Sequence, residues 1–267
     1  MRKLLVLVKQ VPATENVKMN ETTGTMVRTA MEAVINPLDL YAVEEAVQIK
    51  EQSEDDVHVT VLSMGPPMAE SAIREAISMG CDDGFLICGK EFAGSDTWAT
   101  AYGLSQAITS LGEYDLVLCG ERATDGETGQ VGPMVGAFLD LPVMTYVSAI
   151  DSFTKESIVA HRAIEGGHEV VEGPLPLLVS VVKEINEPRL PTLGGKIRAR
   201  KTEIALLSSK DINADSAKLG LSGSPTRVVK MFYPTITRTG SIVSTEDISV
   251  EECVEQLVKF LKSTKAI

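Results

Sequence analysis

The order of apolar segments in the first 140 residues constrains the fold more than any other feature. Four short runs typical of buried strands are each followed by a stretch whose apolar residues recur at helical spacing. The strand patterns cover residues 3–9, 57–63, 84–87 and 115–119, and the helical patterns cover residues 36–51, 68–79, 96–110 and 131–139. This alternation predicts right-handed crossovers and an α/β fold with a doubly wound, mainly parallel sheet.

Helix boundaries are marked by residues with specific positional preferences. Asn36 is a good N-cap, and Pro37 suits the first position of the first helix. Gly80 ends the second helical pattern, and Ser95 or Asp96 would cap the third.

The second half of the chain begins with strand patterns and ends with a polar arm. Residues 143–150, 158–164 and 177–183 would extend the same sheet, with Gly166-Gly167 as a hairpin turn. Beyond residue 186 come two prolines, paired glycines and a basic run, a composition poorly suited to a core.

A last helical pattern, over residues 250–262, has an apolar face that must bury against something. We therefore expect residues 1–185 to form the α/β domain and residues 186–267 to form a C-terminal arm with a partner-binding helix.

Charge and composition narrow the function. A net charge of −12 argues against nucleic acid as a partner, because neutralising phosphates needs a concentrated basic surface. The apolar run at residues 4–8 stops at Lys9, too short for a membrane span, so we expect a cytoplasmic chain that does not contact a membrane. Four cysteines without CxxC spacing and three scattered histidines argue against metal or disulfide chemistry.

The loops after the first and fourth strands are the expected ligand site. Open parallel sheets bind ligands beyond the carboxyl ends of their strands, where the strand order reverses. Residues 10–35 are too long for a routine connection, and residues 120–130 are rich in Gly, Thr, Asp and Gln. On local sequence a nucleotide loop and an ordinary turn that caps the next helix are equally good interpretations.

Known phosphate-binding motifs do not resolve that choice. Neither Walker A nor GxGxxG occurs, which disfavours a P-loop kinase or an ordinary Rossmann dehydrogenase, and no set of nucleophile, base and orienting residue stands out. The net negative charge means that backbone amides and helix N-termini would have to attract an anionic cofactor.

A second polar segment precedes the third helix. Asp96, Thr97 and Thr100 would lie on its first turn, where hydroxyl and amide groups can meet an anion or the edge of a flavin. Taken alone, the segment is somewhat better explained as an ordinary helix cap.

Five ordered motifs resemble the electron transfer flavoprotein beta subunits, and the resemblance runs through almost the whole chain. They are Val8-Lys-Gln-Val-Pro12, Asn36-Pro-Leu-Asp39 with Ala42-Val-Glu-Glu-Ala46, Met64-Gly-Pro66, residues 118–130, and Glu187-Pro-Arg189 followed by Thr192-Leu193. The resemblance implies a Rossmann-like fold that holds an adenine nucleotide between the two loops and the start of the first helix. The residues implicated are Leu7, Asn36 to Asp39, Met64, Arg122, Ala123, Thr124, Asp125, Gly126, Glu127, Thr128, Gly129, Gln130, Val131 and Gly132.

The family has two branches, and the chain resembles the electron-bifurcating one. One branch holds AMP structurally. The other holds a second FAD that takes hydride from NADH and splits the electron pair between ferredoxin and a flavin dehydrogenase. The features similar to this second branch are Val11-Pro12 with Thr14, Thr25 and Arg28, Asp96-Thr97 with Ala99-Thr100, Asp125-Gly-Glu-Thr128, and Gly223-Ser-Pro-Thr226.

The chain would then be an electron-transfer subunit of an NADH-dependent oxidoreductase complex. An AMP-holding subunit and a free-standing nucleotide-binding regulator are the alternatives. Arg122 departs from the glutamine common in relatives. It would pair with a pyrophosphate, shift the potential of a flavin, or point to solvent beside Glu121.

Partner contacts are implied for the arm. Residues 190–201 match the family's recognition loop, in which Leu193 would anchor in a hydrophobic pocket of an acyl-CoA or lactate dehydrogenase type flavoprotein. The basic run that follows would steer toward an acidic surface, and the last helix would pack on the alpha subunit of a heterodimer. Without the resemblance, a solvated linker would be the better interpretation of this segment.

Overall fold

A computed structural model of the chain describes residues 1–13, 33–229, 240 and 242–265. The chain divides into two compact units, Met1–Val229 and Lys230–Ile267. The first unit extends past the boundary expected at residue 185. Residues 193–207 form a helix and a strand that pack on the elements formed by residues 70–87.

The strands of the first unit are β1 (Arg2–Leu7), β2 (Gln10–Pro12), β3 (Ala33–Ile35), β4 (Val57–Met64), β5 (Asp83–Ile87), β6 (Leu116–Gly120), β7 (Val143–Phe153), β8 (Ser157–Ile164), β9 (Gly167–Pro174), β10 (Leu177–Val181) and β11 (Ala205–Leu207). The helices are α1 (Asp39–Gln52), α2 (Glu70–Met79), α3 (Thr97–Leu111), α4 (Val131–Phe138), α5 (Leu193–Lys201) and the short α6 (Gly220–Gly223), with α7 (Val250–Ser263) in the second unit.

Nine of the strands form one sheet in the order β11-β5-β4-β1-β6-β10-β7-β8-β9. All neighbours pair in parallel except β7 with β8 and β8 with β9, which are antiparallel. The predicted α/β fold with a mainly parallel sheet is confirmed, and the strands of the second half join that sheet as expected.

Helices cover both faces of the sheet, which makes the fold doubly wound. One core layer packs Leu4 and Val6 of β1 against α1 and α2, and the other packs Leu5 and Leu7 against α3 and α4. Because successive side chains of a strand point to opposite faces, an uninterrupted apolar run such as residues 4–8 supplies both layers.

The strand order reverses at β1. The chain moves from β1 through β4 to β5 on one side and then returns to place β6 on the other side, so that Leu7 lies between Leu62 and Cys119. The ends of β1 and β6 are therefore adjacent, so that the two loops predicted as a ligand site start at one switch point.

Two predicted boundaries were wrong by a few residues. Helix α1 begins at Asp39 after Leu38 rather than at an Asn36 cap, because the Asn36 side chain bonds elsewhere. The β8–β9 turn consists of Glu165 and Gly166, whose φ is 84°, since Gly167 already pairs with Ile164.

The prediction that the arm after residue 186 contributes little to a core was also wrong in part. Residues Leu193–Lys201 form helix α5, which packs on α2 and buries Ala199. None of the helices in the described residues is both long enough and apolar enough to span a lipid bilayer.

Candidate functional site

The Asn36 side chain connects the start of α1 to the loop after β6. Its Nδ2 donates to the carbonyl O of Arg122 (2.9 Å) and to Oδ1 of Asp39 (2.8 Å), and its Oδ1 accepts from the amide of Thr124 (3.1 Å). The fully buried Asn36 amide thus fixes the loop after β6 against the start of α1.

Asp39 is a buried carboxyl group at the first position of α1. Burial raises its pKa from 3.8 to about 7, although hydrogen bonds from Asn36, Lys9 and Gly120 act in the opposite direction. Its Oδ2 accepts from the backbone amide of Lys9 at 2.8 Å. A Cβ on Gly120 would lie 2.5 Å from Asp39 Oδ1, so only glycine permits this close approach of α1 to the end of β6.

The Lys9 side chain reaches from the end of β1 to the loop after β6, and Lys9 was not among the predicted site residues. Its Nζ lies 2.6 Å from Oδ1 of Asp125, and both side chains are partly exposed. A lysine directly after a buried strand at a predicted switch point is the sequence signal that would have identified it.

The loop after β6 is tightly folded. The amides of Gly126 and Glu127 both donate to the carbonyl O of Ala123. Glu127 and Gly129 have φ values of 53° and 62°, and the left-handed region is costly for a non-glycine residue such as Glu127. Strain of this kind concentrates at ligand sites.

Helix α4 directs its N-terminus toward this loop. The first-turn amides of a helix have no acceptor within the helix and carry its positive dipole end, which favours phosphate. A Cβ on Gly132 would lie 2.7 Å from Sγ of Cys119, so glycine lets this turn approach the end of β6. Gln130, the N-cap, makes no capping bond with its side chain.

Asp96 organises a second polar cluster at the start of α3. Its Oδ1 accepts from the Ala99 amide at 3.0 Å, and its Oδ2 accepts from the Thr226 amide at 2.9 Å and from Thr226 Oγ1 at 2.7 Å. Burial acts to raise the pKa of Asp96, but these hydrogen bonds outweigh it and lower the pKa, so the carboxylate stays charged. The N-cap interpretation of Asp96 is confirmed, and Thr226 joins it from 130 residues away.

Thr97 links the two clusters. Its Oγ1 donates to Oε1 of Gln130 at 2.9 Å, which connects the first turn of α3 to the loop before α4. Thr100, half-buried one turn along α3, donates its amide to the carbonyl O of Asp96. The structure therefore brings together polar residues that the sequence placed on three separate segments.

The remaining predicted residues are distributed around these clusters. Leu7 and Val11 are buried and can offer a ligand only backbone or apolar contact, and Met64 ends β4 with its sulfur next to Gly103 of α3. Arg122 is exposed, and its guanidinium lies 3.5 Å from the Glu121 carboxylate.

The other residues predicted from the sequence lie outside the described part of the chain or away from the two polar clusters. Thr14, Thr25 and Arg28 lie outside the described residues. Leu193 is 78% exposed at the start of α5. Among the described residues, no three His, Cys, Asp or Glu side chains form a group that could hold a metal ion.

The donor set fits an anionic nucleotide. Lys9 and Arg122 each face a carboxylate, so their charges are largely compensated within the chain. The amides at the start of α4 and the hydroxyl groups of Thr124 and Thr128, which lie in an exposed loop, are the groups that could attract a phosphate.

Comparison with known proteins gives a consistent result. The family model described as "Electron transfer flavoprotein domain" matches residues 23–211. The chain is similar to "Electron transfer flavoprotein subunit beta" of Thermoanaerobacterium thermosaccharolyticum, with 42% identity over 265 residues and 99% of both chains covered. It is 39% identical to the protein of the same name from Megasphaera elsdenii, over 270 residues and 99% of both chains.

A third relative is named for an assembly. The "Caffeyl-CoA reductase-Etf complex subunit CarD" of Acetobacterium woodii is 39% identical over 265 residues, which cover 99% of this chain and 100% of the relative.

Proposed function

Because this chain belongs to the electron transfer flavoprotein family as a beta subunit, we propose that it accepts hydride from NADH onto a bound FAD and bifurcates the electrons. One electron would go to ferredoxin and the other, through the FAD of the alpha subunit, to a partner flavin dehydrogenase. The observation that carries the proposal is the hydrogen bond between Thr97 and Gln130, which joins the nucleotide loop to the second polar cluster.

The extent of the site favours FAD over AMP. A mononucleotide needs only the switch-point residues around Asn36 and the loop after β6. The Asp96 cluster extends the polar surface beyond that loop. Thr226 bonds Asp96 from 130 positions away in the sequence, and Thr97 bonds Gln130 of the loop from 33 positions away. A flavin ring beyond the pyrophosphate would explain why these segments meet.

Each group of residues then has a distinct task. The amides at the start of α4 would hold the pyrophosphate, and Asn36 would fix the loop that surrounds the adenosine half. Thr97 and Thr226 would lie near the ring, while Asp96 would orient both ends of the cluster without exchanging a proton, because its oxygens already accept three hydrogen bonds.

A structural AMP is the second candidate. Asn36, Asp39 and the loop after β6 form a complete bonded unit without any contribution from Asp96 or Thr226. In that case the chain would be a non-bifurcating subunit, and the FAD of the alpha subunit alone would carry electrons.

Membership as a beta subunit implies an alpha-subunit partner. We propose that the complex is a cytoplasmic heterodimer and that Leu193 contacts an acyl-CoA rather than a lactate dehydrogenase type flavoprotein. A relative from Anaerotignum propionicum, 36% identical, is named "Acryloyl-CoA reductase electron transfer subunit gamma", and with the Acetobacterium relative it favours the acyl-CoA class.

Nucleotide stoichiometry is the decisive test. The chain is co-expressed with its alpha subunit, the nucleotides are released with acid, and the products are separated by chromatography. We expect two FAD per heterodimer. One FAD and one AMP would show instead that this chain is a structural carrier.

The ring site has its own test, the combined substitution Thr97→Val and Asp96→Ala. It removes both the link to Gln130 and the acceptor of Thr226, so we expect loss of about one FAD per heterodimer and of NADH oxidation. Thr109→Val, near the other end of the same helix, is the matched control and should keep both. Full flavin content and NADH oxidation in the double variant would exclude the proposed ring site.

A further inference from the structure

Arg189 joins the chain segment before α5 to helix α1 through two bidentate ion pairs. Its guanidinium donates to both carboxylate oxygens of Glu44 (2.8 and 3.0 Å) and to both of Glu51 (2.6 and 2.8 Å). Its backbone amide also donates to Glu44, at 3.1 Å. Four charge-assisted bonds in fork geometry, together with a main-chain bond, fix both the side chain and the backbone at this position.

The ion pairs of Arg189 with Glu44 and Glu51, called the clamp below, are partly shielded from solvent. The Glu44 side chain is only 4% exposed, and Gln48 donates a further hydrogen bond to it. Burial acts to raise the pKa of Glu44, but the hydrogen bonds from Arg189 and Gln48 outweigh it and lower the pKa. A pair so placed is screened less than a surface salt bridge and holds its geometry better.

The residue next to the clamp and the residue three positions later are exposed leucines. Leu190 is 88% exposed and Leu193 is 78% exposed. The backbone between them is held at both ends, since Arg189 is clamped to α1 and the Thr192 hydroxyl caps α5 by accepting from the Gly195 amide at 3.0 Å. The apolar side chains are therefore presented on a fixed backbone.

We propose that Arg189 is a positioning residue, which fixes Leu190 and Leu193 before the partner flavin dehydrogenase binds. This inference rests on the proposed function, in which Leu193 contacts that partner. A preorganised segment avoids the entropy cost of ordering on association, so the clamp would increase affinity without touching the partner. It would have no part in the transfer of electrons once the complex has formed.

The test compares Arg189→Lys with the unchanged heterodimer. Lysine keeps the positive charge but cannot form the two forks, so electrostatic steering is retained and positioning is lost. The probe is a purified acyl-CoA dehydrogenase that is reduced by its acyl-CoA substrate, and the assay runs the proposed transfer in reverse. Electrons pass from the dehydrogenase flavin to the heterodimer and then to a dye as the final acceptor. We expect KM for the heterodimer to rise about tenfold with unchanged kcat, because the segment must be ordered on binding.

Two further readouts separate positioning from folding. Hydrogen exchange of the amides of Leu190, Thr192 and Leu193 should accelerate in Arg189→Lys, while flavin content is retained. In the Leu193→Ala background, Arg189→Lys should add little to KM, because the anchor that it positions is already missing.

Glu51 and Glu54 provide a second test with its own control. Glu51→Gln weakens the clamp and should shift KM and exchange in the same direction as Arg189→Lys, whereas Glu54→Gln removes an equal charge three residues away and should leave both unchanged. If Arg189→Lys fails to fold, the comparison of Glu51→Gln with Glu54→Gln still tests whether the clamp positions Leu193.

Several outcomes would overturn the inference. They are an unchanged KM, equal effects of Glu51→Gln and Glu54→Gln, or full additivity of Arg189→Lys with Leu193→Ala. If the unchanged heterodimer does not accept electrons from the dehydrogenase, the proposed partner class is wrong. The exchange rates of the Leu190, Thr192 and Leu193 amides then test the clamp by themselves, and unchanged exchange rejects it.

Discussion

At the scale of single residues, the buried carboxyl of Asp39 has the clearest consequence for stability. Its pKa is raised to about 7 in the folded chain, mainly by burial, from an ordinary value of 3.8. Between these two values the folded chain keeps a proton that the unfolded chain has lost. Stability must therefore fall as pH rises through this window, and the full cost of the buried charge is present above pH 7.

The substitution Asp39→Asn should remove this pH dependence. The amide keeps the shape but has no charge, although it loses one of the hydrogen bonds from Asn36 and Lys9. Relative to the unchanged protein, the variant should gain about 3 kcal/mol between pH 5 and pH 8, since one pKa unit corresponds to about 1.4 kcal/mol.

Thermal unfolding of the purified heterodimer at a series of pH values measures this difference. Asp140→Asn, which neutralises an exposed carboxylate, should follow the unchanged protein at every pH. Unfolding midpoints that stay parallel for Asp39→Asn and the unchanged protein would show that Asp39 is already ionised at pH 5.

The residues of the switch point were predictable to the extent that they lie in short motifs. Asn36, Asp39 and the loop of residues 120–130 stand out because glycine, amide and carboxylate residues follow strands or start helices. The ion pair of Lys9 with Asp125 spans 116 residues, and nothing in either segment specifies the other. Only the strand order, which places β1 beside β6, brings the two together.

At the scale of elements, helices α2 and α5 cap each other with arginines. Arg198 of α5 donates to the carbonyl oxygens of Ile77 (2.7 Å) and Cys81 (3.1 Å), at and just beyond the end of α2. Arg74 of α2 donates to the carbonyl oxygens of Ala199 and Thr202, at and just beyond the end of α5. Each guanidinium thus meets the negative end of the other helix dipole.

The adjacent glycines of α5 test how much this packing depends on close contact. A Cβ on Gly195 would lie 2.1 Å from the carbonyl O of Ser78, whereas a Cβ on Gly194 would have no atom within 4 Å. Gly195→Ala should push α5 away from α2 and cost about 1–3 kcal/mol, as overpacking does. Gly194→Ala should be neutral or slightly stabilising, because alanine is the better helix former.

Hydrogen exchange and the thermal midpoint of the heterodimer distinguish the two variants. Faster exchange of the α5 amides is expected in Gly195→Ala alone. Equal behaviour of both variants would mean that α5 does not depend on close packing against α2.

Elements with sequence signals of their own could be predicted, whereas elements that depend on tertiary contacts could not. The strands and helices of the first half carry their own signals, namely apolar periodicity, an aspartate cap on α3 and a glycine after α2. Helix α5 reads Leu-Gly-Gly-Lys-Ile-Arg-Ala-Arg-Lys, without an apolar face, and buries only Ala199. Its helical state is stabilised by the hydrogen bonds that Arg74 and Arg198 form between α2 and α5. This is a tertiary interaction that the local sequence does not encode.

At the scale of the whole molecule, the sequence predicted a chain of two parts whose second part needs a partner. Helix α7 has a complete capping box, since Ser249 and Glu252 bond each other's backbone amides, so its N-terminus is stabilised locally. Its apolar side chains are nevertheless exposed in the isolated subunit, among them Val250, Val254 and Leu257. A helix with one apolar face is stable in water only when that face is covered.

We expect the alpha subunit to cover this face. Leu257→Lys places a charge within the apolar stripe and should raise the dissociation constant of the heterodimer at least tenfold, because burying an unpaired ammonium costs more than about 1.4 kcal/mol. Gln256→Lys adds the same charge on the polar side of the helix and should leave association unchanged. Sedimentation velocity over a dilution series measures both constants, and equal dissociation of the two variants would mean that α7 binds something other than the alpha subunit.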